Sequence, residues 1–234
     1  MQECSRHLVP DDKDGLRFPE NRPGQPFSQQ TDQYPKEHFA AEERLVALSP
    51  QSNAFSVSPV VNTKEYHDAF ERMPLAKPVR EGAYQQAGRI LQAADGTDYE
   101  YMAAIDARDG RLVVDNLARE PSRKQTTFSA EEASIASNHR GALVIIHNHP
   151  SSSPPSFTDF VMASWNNQVF GSIVIGHDGS VWFISINDNK VFDLIMELRF
   201  KYRDAYGDFS EIKAVDDLIS YNERRDLFIF RKER

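Results

Sequence analysis

The chain has 234 residues, a net charge of −8 and 40% apolar residues, which fits one domain with flanking segments or two small domains. The acidic balance argues against a dedicated nucleic-acid or anionic-membrane binder, because such proteins usually carry a basic surface. Cys4 is the single cysteine, which excludes an internal disulfide and a cysteine-based zinc site, so a metal would need His, Asp or Glu ligands. No stretch reaches the roughly 18 apolar residues of a membrane span, and the N-terminus lacks the apolar stretch of a signal peptide; we therefore expect a soluble, cytoplasmic protein with no membrane partner.

The first sixty residues differ in composition from the rest of the chain. They hold seven of the thirteen prolines, interspersed with Gln, Ser, Asp and Asn. One short helix is predicted over Lys36–Leu48, but the segment offers too little apolar surface to offset the entropy lost on ordering it. We interpret residues 1–60 as a flexible or partner-ordered arm; the alternative is an arm that wraps its own domain.

Periodic patterns begin at about residue 61. A helix is predicted over Glu81–Ala94, where apolar residues recur at helical spacing before an Asp-Gly pair. It is followed by a strand over Tyr99–Ala107 and its hairpin partner over Arg111–Leu117. Ser129 is a suitable N-cap for a helix over Ala130–Asn138.

The second half of the chain continues the mixed pattern. Ala142–His147 is a continuous apolar run, typical of a central strand buried on both faces. A helix is predicted over Phe157–Gln168, and strands over Gly171–Gly176 and Val181–Ile186 flank a turn with Asp-Gly chemistry. A closing helix with one apolar stripe is predicted from Val191 to Tyr202.

These elements predict the fold class and the organisation of the chain. The tail Asp216–Arg234 adds a helix and a short strand. Because the strands do not alternate regularly with helices, a doubly wound sheet is excluded; we expect an α/β protein of the α+β type, with a largely antiparallel sheet of about five strands sandwiched by helices. The predicted units are the arm 1–60, a domain 61–206 and a charged, helical tail 207–234.

The most informative stretch is HNHPSSSPPSFTD, at the end of the central strand. Side chains two apart on a strand share a face, so His147 and His149 can present their imidazoles to one point, and Asp159 falls in the first turn of the next helix. Two imidazoles and a carboxylate leave one tetrahedral position for water, which is typical of a catalytic zinc site. The alternatives are an ordinary polar strand end and a capping box in which Ser156 is the N-cap and Asp159 the third helical residue.

A metallohydrolase of this type also needs a general base to accept a proton from water. Glu100 is the candidate, because it opens the first strand directly after a helix and can point into the site. The alternatives are a solvated residue at the strand start and Asp98 as the base. The neighbouring pair Glu131-Glu132 is better explained by the helix N-terminus that it occupies.

The residues Glu100, His147-Asn148-His149-Pro150 and Ser156-x-x-Asp159 together resemble the signature of the JAMM (JAB1/MPN+) metalloprotease family. The sequence HNHPS is most similar to the motif of the bacterial RadC-like and prokaryotic JAB branch, including JAB domains of phage and mobile-element proteins. The resemblance covers about residues 61–206 and leaves both ends unmatched. It implies a JAB/MPN-like fold for this part of the chain.

The resemblance also implies a role for each matched residue. His147, His149 and Asp159 would bind Zn²⁺, Glu100 would act as general base and then acid, and Ser156 would donate a hydrogen bond to the oxyanion. The chain departs from the family pattern in one respect: six residues separate His149 from Ser156, where the usual pattern has seven. Adjacent prolines in this loop can compensate by fixing its path.

Three functions follow as hypotheses. The first is a zinc-dependent metallopeptidase or isopeptidase, deubiquitinase-like in its chemistry, that hydrolyses a peptide or isopeptide bond of a protein substrate, with a ubiquitin-like conjugate as one candidate. The second is a non-catalytic JAB module that serves as an interaction surface in a larger phage, toxin or defence assembly. The third is a RadC-like, DNA-related role, which the acidic charge opposes.

His177, which follows the next predicted strand, is open to two interpretations. It can support the site or be a turn residue, and we favour the turn.

Overall fold

The computed structural model describes residues 55–119, 122–123, 126–165, 167–188, 190–223 and 225–234, together with two short paired strands, β1 (Pro10–Asp11) and β2 (Gly15–Leu16). The helix predicted over Lys36–Leu48 lies outside these residues. Among the described residues, no helix is long and apolar enough to cross a membrane.

The described strands after the first two are β3 (Tyr99–Glu100), β4 (Met102–Asp106), β5 (Leu112–Asp115), β6 (Ser122–Arg123), β7 (Leu143–His149), β8 (Val169–Gly176), β9 (Val181–Ile186) and β10 (Phe228–Lys232). Six of them form one sheet, in the spatial order β10-β9-β8-β7-β4-β5. Neighbouring strands of this sheet are antiparallel except for β7 and β8, which run parallel. The two shorter strands, β3 and β6, pair antiparallel with each other.

The α-helices of the described residues are α1 (Lys64–Glu71), α2 (Lys77–Ala94), α3 (Ala130–Asn138), α4 (Phe157–Trp165), α5 (Lys190–Tyr206) and α6 (Ser210–Asn222). They cover both faces of the sheet. Helices α1 and α2 pack on one face; on the opposite face α3 lies over one half and α4, α5 and α6 over the other. The mixed fold class and the largely antiparallel sheet predicted from the sequence are thereby confirmed, with six strands in the described sheet.

The alternation of side chains along β7 assigns its residues to the two faces. Val144 and Ile146 pack in the core beneath α1 and α2, whereas Leu143 and Ile145 pack beneath α3. A strand places successive side chains on opposite faces, so this alternation continues to the strand end. The two histidines that end β7 therefore share the face covered by α3 and α4, and the asparagine between them faces the α1–α2 side.

Several elements differ from the predicted ones. The strand predicted over Tyr99–Ala107 breaks at Tyr101, because its first two residues pair with β6 instead of continuing the large sheet. The central strand extends to His149 rather than ending at His147, since its parallel pairing with β8 continues to that residue. Helix α1 was not predicted; Thr63 caps it, and its short apolar face is buried in the core.

Both flanking units contribute to the described structure. At the C-terminal end, β10 joins the sheet as an edge strand and buries Phe228 against Phe160 of α4, with the ring centroids 5.5 Å apart. At the N-terminal end, the Val57 N–H donates to an Asp95 carboxylate oxygen at 2.7 Å and the Ser58 N–H donates to the His177 carbonyl at 2.7 Å. The segment 55–58 is thus bonded to the end of α2 and to the β8–β9 turn, and 228–232 to the edge of the sheet.

Candidate metal centre

The end of β7 presents two imidazoles to one point. His147 and His149 are each 7% exposed, and their Nε2 atoms lie 3.2 Å apart. The strand pairs with β8 as far as His149 and with β4 as far as His147, so the sheet sets the Cα positions of both histidines. The pair is therefore built on a rigid part of the fold.

Helix α4 brings a carboxylate to the same point. Asp159 lies in the first turn of α4, with one oxygen 3.0 Å from His147 Nε2 and the other 3.4 Å from His149 Nε2. The second oxygen also accepts hydrogen bonds from the Ser156 backbone N–H at 2.6 Å and from the Ser156 hydroxyl at 2.8 Å. Ser156 Oγ in turn accepts the Asp159 N–H at 3.4 Å. The reciprocal bonds of a capping box are present, so one carboxylate both caps the helix and faces the histidines.

Hydrogen bonds fix the path of the loop between His149 and α4. The His149 Nδ1–H donates to the Ser153 carbonyl at 3.0 Å, and the Ser152 N–H donates to the His149 carbonyl at 2.9 Å. Ser152 has a φ of 55°, and its hydroxyl accepts the Asp178 N–H at 2.9 Å. A carbonyl can only accept, so Nδ1 carries a hydrogen whether the ring is charged or neutral, and Nε2, which faces Asp159, is the nitrogen that can bind a metal once it loses its own proton.

The electrostatics of the cluster follow from this geometry. Burial lowers the pKa of His149, but the hydrogen bond to Asp159 and the charge of Asp159 outweigh it, so that the pKa is raised from 6.5 to about 9. Burial raises the pKa of Asp159, but the two histidines hold it well below the ordinary 3.8. Without a metal, His149 is thus a buried imidazolium paired with a carboxylate, and a metal ion would displace its proton on binding.

The three groups fit a zinc ion. Ligands at about 2.0–2.1 Å from zinc stand about 3.3 Å apart in a tetrahedron. The two histidine Nε2 atoms lie 3.2 Å apart, and each faces its own oxygen of Asp159, at 3.0 Å from His147 and 3.4 Å from His149, so the nitrogen pair has the spacing of two zinc ligands and the carboxylate lies within reach of the same ion. The donor set of two imidazoles and one carboxylate is that of a catalytic zinc site with one open position. The loop that is one residue shorter than the family pattern therefore still brings the three side chains together.

Glu100 is the last residue of β3. It lies two residues before Met102, which pairs with His147 of β7. The charge of Glu100 contributes to the raised pKa of His149, which places the carboxylate within electrostatic reach of the cluster. Its backbone pairs with Ser122 in the β3–β6 ribbon. The structure therefore brings the predicted base to the same end of the sheet as the predicted ligands.

Two other predicted features have simpler surroundings. Glu132 closes a capping box with Ser129 at the start of α3, since its carboxylate accepts the Ser129 N–H at 2.7 Å; this is the helix-terminus role expected from the sequence. His177 lies in the β8–β9 turn, as expected, but its side chain is 2% exposed and bonds Asn148 and the Phe55 carbonyl. Sequence reasoning assigned no role to Asn148; the signal was a polar residue that strand alternation directs to the opposite face from both histidines.

The described residues contain one further grouping of possible ligands, at the surface of α1 and α2. His67, Glu71 and Glu81 lie together there, with 3.6 Å between His67 Nε2 and a Glu81 oxygen. Arg80 lies 3.6 Å from a Glu71 oxygen and donates to the Glu71 carbonyl at 2.9 Å, which balances the charge of that residue. This cluster is more exposed than the one at β7 and is explained by surface ion pairs.

Comparison of the chain with protein-family models, with curated proteins and with solved structures finds no match. The function of the site therefore rests on its own residues, distances and charges.

Proposed function

We propose that the chain is a zinc-dependent peptidase or isopeptidase of the JAMM type. The observation that carries the proposal is the convergence of His147, His149 and Asp159, whose ligand atoms lie within 4.8 Å of one another at a buried strand end, with the charge of Glu100 acting on His149. A structural role alone does not require two histidine nitrogens and a carboxylate to face one another at a buried strand end.

The side chains divide the chemistry between them. A zinc ion held by His147, His149 and Asp159 would supply Lewis-acid polarisation of the scissile carbonyl and acidify a water molecule. Glu100 accepts the proton of the attacking water and returns it to the leaving amine. The Ser156 hydroxyl, which donates to Asp159 in the structure, would turn its one hydrogen to the substrate carbonyl oxygen as negative charge develops there, while the Ser156 N–H keeps its bond to Asp159.

The substrate in this proposal is a protein or peptide. An extended tail, such as that of a ubiquitin-like conjugate, would reach the buried carboxylate and imidazoles better than a folded surface would. The same proposal places the activity in the cytoplasm. The chain's single cysteine, Cys4, is compatible with a reducing compartment.

The first experiment counts zinc per chain by elemental analysis after purification without added metal. We expect about one zinc in the wild type. The ion should be lost in His149→Ala and Asp159→Ala and retained in the control His67→Ala, which removes the histidine of the surface cluster. A wild type that takes up no zinc on titration would refute the metal centre and favour the non-catalytic interaction module.

The second experiment tests catalysis with a panel of isopeptide-linked ubiquitin-like conjugates and unstructured peptides. Cleavage by the wild type should stop on addition of a chelator and in Glu100→Gln, while Glu100→Gln keeps its zinc. Cleavage that survives both changes would contradict the mechanism even if the metal is bound.

A further inference from the structure

Asn148 occupies the position between the two histidines but faces the other side of the sheet. It is 0% exposed. Strand alternation directs its side chain away from the metal ligands and toward the face covered by α1 and α2. A fully buried amide must be satisfied by hydrogen bonds, so its partners indicate why it is there.

The Asn148 side chain bonds both peptide groups that flank Glu100. Its carbonyl oxygen accepts the Tyr101 N–H at 2.8 Å, and its amide nitrogen donates to the Tyr99 carbonyl at 3.0 Å. The Tyr99 carbonyl belongs to the peptide group before Glu100 and the Tyr101 N–H to the one after it. Because the orientation of these two peptide planes defines φ and ψ of Glu100, Asn148 holds the direction in which the Glu100 side chain leaves the backbone.

The two hydrogen bonds from the Asn148 side chain, which we call the clamp, lie just beyond the end of the β4–β7 pairing. Regular pairing between β4 and β7 ends at Met102 and His147, and the preceding strand pairs with β6 instead. One backbone bond continues past that point, from the Asn148 N–H to the Tyr101 carbonyl at 3.3 Å. The side chain of Asn148 thus replaces sheet pairing over the residues that carry the carboxylate.

His177 holds the amide of Asn148 in this orientation. The second amide hydrogen of Asn148 faces His177 Nε2 at 3.1 Å, and His177 Nδ1 lies 2.7 Å from the Phe55 carbonyl. Since the Phe55 carbonyl can only accept, Nδ1 carries the proton and Nε2 accepts from Asn148. The neutral ring that this requires agrees with the burial of His177, which lowers its pKa. A flipped amide would set its NH₂ group against the Tyr101 N–H, so the network has one consistent arrangement.

We propose that Asn148 is a positioning residue for Glu100, and that His177 orients it by accepting its second amide hydrogen. The proposal deepens the proposed function and rests on it, because it gives the carboxylate of the general base a fixed place relative to His147 and His149. One strand then serves the site from both faces, with ligands on one and the support of the base on the other.

The test measures amide hydrogen exchange at Tyr101 by NMR in the wild type and in Asn148→Ala. Loss of the side-chain acceptor should speed exchange of this amide by about tenfold or more. Zinc content should stay unchanged, because the three ligands remain. The matched control is Gln168→Ala, since the Gln168 amide donates to the Ala136 and His139 carbonyls at 2.9 Å near the other end of β7. That variant should leave exchange at Tyr101 at the wild-type rate.

The role of His177 is tested by two variants, one that removes the side chain and one that keeps a hydrogen-bond acceptor. His177→Ala should speed Tyr101 exchange in the same direction as Asn148→Ala. His177→Gln should restore slow exchange, because a glutamine oxygen can accept from Asn148 where Nε2 does. A general loss of stability would not be reversed by this substitution, so the rescue separates positioning from packing.

Activity supplies the second readout. On a substrate that the wild type cleaves, Asn148→Ala should lower kcat by about tenfold or more with KM little changed, since binding groups are untouched. Unchanged Tyr101 exchange in Asn148→Ala, or a rise no larger than that of amides in β8 and β9, would overturn the proposal. Absence of zinc in the wild type would instead overturn the proposed function, and the exchange data would still decide whether Asn148 clamps Glu100.

Discussion

Removing the charge of Asp159 should abolish a specific pH dependence of folding stability in the metal-free protein. The pKa of His149 is about 9 in the folded chain, against the ordinary 6.5. Because folding raises this pKa, the stabilisation is complete below pH 6.5 and is lost as the pH rises through 9. Each tenfold change in proton affinity corresponds to about 1.4 kcal/mol, so the loss is about 3 kcal/mol across this range. The side chain of His149 is 9% exposed, and solvent therefore screens little of the interaction.

The assay is urea unfolding with a chelator present, at several values between about pH 6 and about pH 9. The free energy of unfolding of the wild type should fall over this range, and that of Asp159→Asn should stay nearly level. Asparagine keeps an oxygen that can accept the Ser156 N–H, so the helix cap is conserved while the charge is removed. The lowered pKa of Asp159 acts in the acid range, below its ordinary 3.8, and does not enter this window.

The matched control is Asp178→Asn, which removes a carboxylate from the β8–β9 turn where it accepts the Ser180 N–H at 2.8 Å. This variant should keep the wild-type slope between neutral and alkaline pH. Parallel loss of stability in the wild type and in Asp159→Asn would refute the coupling between His149 and Asp159. It would also remove the basis for expecting proton release when the site binds metal.

Three further predictions concern the structure around the site. Ser156→Ala should cost about 1 kcal/mol of stability through loss of the α4 cap and lower turnover about 10²–10³-fold with zinc retained, as measured by urea unfolding, kinetics and elemental analysis. Gly176→Ala should destabilise the fold by about 1–3 kcal/mol in unfolding experiments, because a Cβ there would meet Asp178 Oδ1 at 2.7 Å and the Ser180 hydroxyl. Stability equal to that of the wild type would show that the β8–β9 turn can move to accommodate the added methyl group. Phe160→Ala should cost about 3–5 kcal/mol in the same assay, because the ring is 0% exposed and packs on Phe228; a loss below about 1 kcal/mol would mean that the α4–β10 contact does not stabilise the fold.

The sequence predicted the parts of the fold that local patterns encode. Strand β9 has the predicted bounds, and β7 and β8 differ from theirs by only one or two residues at an end, because their apolar runs and the Asp-Gly turn are local signals. The residue types alone likewise predict Ser129 as the N-cap of α3, as observed. The convergence of His147 and His149 followed from strand alternation, which needs no knowledge of tertiary structure.

Long-range pairing decided what the sequence did not predict. The break at Tyr101 depends on β6, which lies more than twenty residues away along the chain and offers no distinctive pattern of its own. The place of β10 in the sheet is likewise set by pairing with β9 across α5 and α6. Strand propensity depends on such neighbours, so a short apolar run cannot by itself reveal its partner.

The Asp159 carboxylate, which caps α4, explains how the short loop between His149 and Ser156 completes the site. Ser152, three residues after the end of β7, adopts a left-handed conformation, and its N–H donates to the His149 carbonyl, which closes a turn. The capping box then fixes the start of α4 at Ser156 and sets the Asp159 oxygens toward the histidines. Since the position of the carboxylate is dictated by the first turn of the helix, the spacing that matters is the distance from the strand end to the cap. The turn at Ser152 closes that distance with six residues between His149 and Ser156, and the helix cap then sets the carboxylate toward the histidines.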